Sequence, residues 1–122
     1  QGKQVIQGQN WRPYLPTPPF SEFVSGHSTF SSAAAEVLRL FTGSDKFNYS
    51  VVIPPGSSTI EPGIVPSTAI TLSWKTFTEA AEQAGFSRRL GGIHFEDGDL
   101  AARQMGRKIG KLVFKKAMQF IE

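Results

Sequence analysis

Between Ser28 and Phe41 the apolar residues Phe30, Ala33, Ala34, Val37, Leu38 and Phe41 recur at the spacing of one helical face. Glu36 and Arg39 fall on the other side and Gly43 follows as a stop, so a helix is predicted over 25–43 with its large apolar side chains turned inward. Residues 1–24 have no such period. There Pro13, Pro16, Pro18 and Pro19 fix the backbone and remove N–H donors, which predicts an extended arm wrapped over a surface. Trp11, Tyr14, Phe20 and Phe23 would anchor it, and these interleaved aromatics favour a packed arm over an exposed ligand for a small recognition domain.

Over 44–74 the period shortens. Residues 48–53 and 69–74 alternate or cluster β-branched side chains around Pro54-Pro55-Gly56-Ser57-Ser58, which fits a small β-hairpin or a long irregular excursion. A second helix is predicted over 75–84, with Phe77, Ala80, Ala81 and Ala84 on one face, Glu79 and Glu82 outward, and Gly85 ending it. The last helix starts near Glu96 to Asp99, whose charges suit the positive end of a helix dipole, and runs to the C-terminus. Met105, Ile109, Leu112, Val113 and Phe120 are expected to form its buried stripe. Gly106 and Gly110, one turn apart, each cost about 1 kcal/mol relative to alanine in a helix interior, so they imply close backbone packing in preference to a cofactor-side requirement. The fold class is mainly α: one domain over 1–122, comprising an arm (1–24), a helix (25–43), a loop or hairpin (44–74) and helices (75–122), and forming part of a larger helical bundle.

Composition narrows the functions only slightly. Ten phenylalanines and a 39% apolar fraction can fill a small core. The absence of cysteine excludes disulfides and thiolate chemistry, and no apolar run is long enough to span a bilayer. The net charge of +3 is uneven: Arg103, Arg107, Lys108, Lys111, Lys115 and Lys116 crowd the last helix. Without interleaved aromatics or a base-reading motif this run reads as a solvated face, and no nucleic-acid partner is expected.

The chemistry gathers around the two histidines. Ser25-Gly26-His27 stands where the arm becomes a helix, so first-turn N–H groups, a hydroxyl and a group that titrates near neutrality lie together, as an oxyanion requires. In Ser87-Arg88 and His94, arginine supplies a permanently charged fork of donors, and Gly91-Gly92 lets the chain bend so that both side chains can face one centre. Either phrase alone reads as a capped helix start or as a surface arginine beside a core histidine. Together they hold every histidine of the chain, which favours a shared site.

These phrases resemble the second and third signature motifs, P-S-G-H and S-R-x5-H-x3-D, of the superfamily of vanadium-dependent haloperoxidases and type 2 phosphatidic acid phosphatases. The stretch from Leu15 to Phe30 and Gly91-Gly92-Ile93-His94-Phe95 resemble bacterial members of the haloperoxidase branch. The resemblance implies vanadate as cofactor, with His94 as its axial ligand or, in a phosphatase, as the nucleophile. It implies that His27 is the acid–base histidine and that Arg88, Ser25 and the Gly26 N–H hold the equatorial oxygens. Hydrogen peroxide and a halide are the implied substrates, a phosphate ester the alternative, and an inert helical module the non-enzymatic one. Members of the family are often exported, so the resemblance implies an extracytoplasmic location, secreted or periplasmic.

The chain departs from the pattern at three places. Val24 replaces the proline before Ser25, a mild change. Gly98 stands where the motif has aspartate; if the helix has begun by His94, Asp97 lies on its face and orients it, the alternative being a helix cap. The first motif, K-x6-R-P, is absent, since Val5 stands seven residues before Arg12 and Lys3 is out of register. The expectation is that this is the C-terminal portion of a longer polypeptide, the missing segment or a companion chain supplying the lysine and arginine.

Overall fold

The computed structural model describes residues 5–121; Gln1 to Gln4, with which the arm begins, and Glu122, the end of the last predicted helix, lie outside them. The order after an irregular arm with one short 3-10 turn, Gly8–Asn10, is α1 (Gly26–Thr42), β1 (Lys46–Ile53), β2 (Ile70–Thr76), α2 (Phe77–Leu90) and α3 (Glu96–Met118). The mainly helical class with one small hairpin is as predicted.

Local chemistry sets the boundaries. Ser25 caps α1 by accepting the Ser28 N–H, and Gly43 closes it in the left-handed conformation at φ 69°. Thr76 and Glu79 form a reciprocal capping box, so β2 passes into α2 with no connecting loop. The strands pair antiparallel from Lys46 opposite Thr76 to Ile53 opposite Ile70, with an irregularity between Lys46 and Tyr49. Tyr49 lies almost flat against Trp74, and Phe47 tilts onto Phe77, joining the hairpin to α2.

Two helical predictions are corrected. The second helix does not end at Gly85 but continues to Leu90, carrying Ser87 and Arg88 in its last turn. Gly85 is a close approach and not a stop, because a Cβ there would strike the Asp99 carboxylate and the Ser28 hydroxyl (2.6 Å). The second correction concerns faces. Phe30, Phe41 and Leu38 of α1 and Met105, Ile109, Leu112 and Val113 of α3 are exposed, as is Phe120 just beyond it, whereas Glu36 is buried.

The helices meet along their smallest side chains. A Cβ on Gly106 would run into the Thr29 carbonyl and Ser32, and one on Gly110 would lie 2.5 Å from the Ala33 carbonyl oxygen. Ala35, Ala81 and Ala102 fill the space between, with Ile93 beside the site. The hydrophobic period located the helices correctly, but the burial follows glycine, alanine and serine.

Candidate functional site

Three segments supply the site: the start of α1, the last turn of α2, and the 91–95 connection into α3. The arm holds the third. Leu15 N–H donates to the Gly91 carbonyl (3.0 Å), and the bare Cα atoms of Gly91 and Gly92 are covered by Leu15 and by Trp11 and Pro13. Tyr14 reaches the other way, donating to Glu61 at 2.5 Å, and the four predicted anchors Trp11, Tyr14, Phe20 and Phe23 are exposed where burial was expected. Arg12 spends its guanidinium on the Gln9 and Trp11 carbonyls and is no part of the site.

His94 is buried, with its Nδ1 2.8 Å from the Glu22 carbonyl oxygen and its ring stacked near Phe20. A carbonyl can only accept, so Nδ1 carries a proton and Nε2 is the ring nitrogen left to meet a ligand. His27 is exposed on the first turn of α1. Burial, then the charge of Arg88, then that of His94 hold its pKa below the usual imidazole value, so these three groups share one electrostatic neighbourhood and His27 is biased toward its neutral form.

Among the described residues, the buried Arg88 Nε–H has no acceptor. An unpartnered guanidinium donor out of water is unfavourable unless an anion meets it. The first-turn N–H groups of Gly26 and His27 have no intrahelical acceptor within reach, so they add donors of the same kind. Among the described residues no cluster of three or more His, Cys, Asp or Glu could hold a metal cation. The donor set present is cationic and N–H-rich, which suits vanadate as an oxyanion with one imidazole ligand.

Two expected residues are placed differently. Ser25 is fully buried, its Oγ 3.0 Å from Ser28 Oγ, whose own 2.6 Å bond goes to Asp99. Asp97 is exposed and makes no hydrogen bond to His94 among the described residues. The premise of a helix begun at His94 fails, because Phe95 is an extended N-cap (φ −89°, ψ 168°) and helical spacing starts only at Glu96. Asp99 is instead the fully buried carboxylate, accepting from Ser28 and from Arg103 Nε and Nη2 (2.8 and 2.6 Å), with Arg89 at 3.6 Å.

The sequence matches, over residues 1–122, the family described as the VCPO second helical-bundle domain. The chain belongs to the vanadium-dependent haloperoxidases. Its fold is similar to a holo-type bacterial vanadium-dependent chloroperoxidase, with TM-score 0.88 and 28% identity over 93% of this chain and 24% of that one. The apo-type structure gives 0.87 and 28% over 93% and 25%. A bacterial vanadium-dependent iodoperoxidase gives 0.65 and 35% over 88% and 24%. No curated protein matches the sequence. The chain thus spans about a quarter of the length of these haloperoxidases.

Glu22 is what the sequence reading missed. Its carbonyl takes His94 Nδ1, and its Oε1 accepts the Phe95 N–H at 2.8 Å and lies 3.5 Å from the same Nδ1. The one available signal was Gly98, a glycine at the motif's carboxylate position.

Proposed function

We propose that this chain carries the vanadate-holding residues of a haloperoxidase that oxidises halide with hydrogen peroxide. His94 Nε2 would coordinate the vanadate, Arg88 Nε–H and the Gly26 N–H would hold its oxygens, and Ser25, the N-cap of α1, would support the Gly26 amide. Vanadate, when bound, supplies a Lewis-acidic centre that activates peroxide. His27, biased toward its neutral form, would be the group that accepts a proton from substrate at this site. The observation that carries this reading is the buried Arg88 Nε, without a partner among the described residues and in the same electrostatic neighbourhood as both histidines.

The test is halogenation of an indicator dye by the full-length protein with orthovanadate, peroxide and bromide. Activity is expected, with His94→Ala abolishing it and Arg88→Gln raising the vanadate requirement by about 10- to 100-fold, the worth of one or two charged hydrogen bonds. Phosphate-ester hydrolysis inhibited by vanadate, with no halogenation at any loading, would overturn the assignment.

A further inference from the structure

Gly98 occupies the position at which the third motif places an aspartate. It sits in the first turn of α3 and is buried, and a Cβ there would collide with the carboxylate of Glu22, lying 3.1 Å from its Cδ. The space a motif side chain would enter is therefore filled by a carboxylate from a segment 76 residues earlier. That carboxylate is held firmly: Oε1 takes the Phe95 N–H at 2.8 Å, while the Ser25 N–H donates to the Gly98 carbonyl at 3.2 Å. Backbone and side chain of Glu22 thus converge on His94 Nδ1, at 2.8 and 3.5 Å.

We infer that Glu22 is the positioning residue of His94, its carboxylate standing in from the arm for the aspartate that Gly98 replaces. The glycine and the glutamate are one exchange: losing the side chain at 98 opens the room that the side chain at 22 fills. The carbonyl fixes which ring nitrogen carries the proton. The carboxylate pins the adjoining Phe95 amide and places a negative charge beside Nδ1–H, which strengthens Nε2 as a donor to an electrophilic centre. Asp97 has no part in this. The inference rests on His94 being the vanadate ligand as far as affinity is concerned, and on geometry alone as far as ring orientation is concerned.

The experiment uses the full-length protein and two readouts, orthovanadate affinity by equilibrium titration and the ring 15N shifts of His94 with vanadate absent. Glu22→Gln keeps an acceptor for Phe95 N–H and removes the charge; Glu22→Ala removes both. Affinity is expected to fall about tenfold in the first and up to about 100-fold in the second, the range for losing the partner of a metal-bound imidazole, with the Nδ1 shift moving in both. Gly98→Asp alone should weaken binding by crowding Glu22, whereas the double variant Glu22→Ala/Gly98→Asp should recover most of the affinity, an outcome that a merely structural Glu22 would not give. Unchanged His94 shifts and affinity in Glu22→Ala, or a double variant no better than Glu22→Ala, would overturn the inference. Should wild type and His94→Ala bind vanadate equally, the vanadate assignment falls, and the 15N shifts in Glu22→Gln still decide whether Glu22 governs the ring.

Discussion

Asp99 has no solvent contact, yet it is charged, and its partners explain how. Burial acts to raise its pKa, but the hydrogen bonds from Arg103 and Ser28 and the charges of Arg103 and Arg89 outweigh burial and leave it lowered. The unfolded carboxylate titrates near ~3.9. The stability Asp99 contributes is therefore fully present above about pH 4 and is lost as pH falls through its lower folded value. Asp99→Asn should cost about 3 kcal/mol at neutral pH, since it leaves buried guanidinium groups uncompensated, and should flatten the acid limb of a stability curve measured by urea unfolding between pH 2 and 6. At this scale the sequence disclosed the residues whose identity is itself the chemistry: both histidines and Arg88 could be picked out by type and spacing. It hid Glu22 and Asp99, whose roles depend on segments that meet only in three dimensions, and it misdirected the reading to Asp97 through an assumed helix phase.

Elements were more legible than their faces. Period and caps place α1, α3 and the hairpin, but they predict burial for a stripe of Phe, Leu, Ile and Val, whereas the contact runs along Gly106, Gly110, Ala33 and Ser32. Helices that approach this closely need bare Cα atoms, and the bulky residues are then left on the outer surface. Gly85 looks like a terminator for the same reason: sequence cannot distinguish a glycine that ends a helix from one that lets a neighbour in. Gly110→Ala separates the two effects. Intrinsic propensity would favour the alanine by about 1 kcal/mol, but its Cβ would press on the Ala33 carbonyl and on Glu36 Cβ (3.0 Å). Overpacking costs about 1–3 kcal/mol, so a net loss of stability is expected, measurable as a lower thermal midpoint.

For the whole molecule, a chain that is about a quarter of its haloperoxidase relatives exposes Phe30, Phe41, Leu112 and Val113 and, among the described residues, places one arginine, Arg88, beside the two histidines of the candidate site. A multiply charged oxyanion held by a single fixed cation is held weakly. The 122-residue chain is expected to bind orthovanadate about 100-fold more weakly than a protein that also carries the first-motif lysine and arginine, because two charged hydrogen bonds at roughly 1.5 kcal/mol each would be added there. Titration of both proteins checks this, and equal affinity would mean that the described residues suffice. The strap formed by Leu15, Trp11 and Glu22 over residues 91–98 has one more consequence. Joining stretches so far apart along the chain closes a long loop, and the entropy of that closure must be met before any contact it makes is gained. The helices can form from local contacts, whereas the imidazole at 94 is expected to reach its orientation only after the arm has docked, so the amides of Leu15 and Phe95 should exchange with solvent sooner than those of the helix interiors.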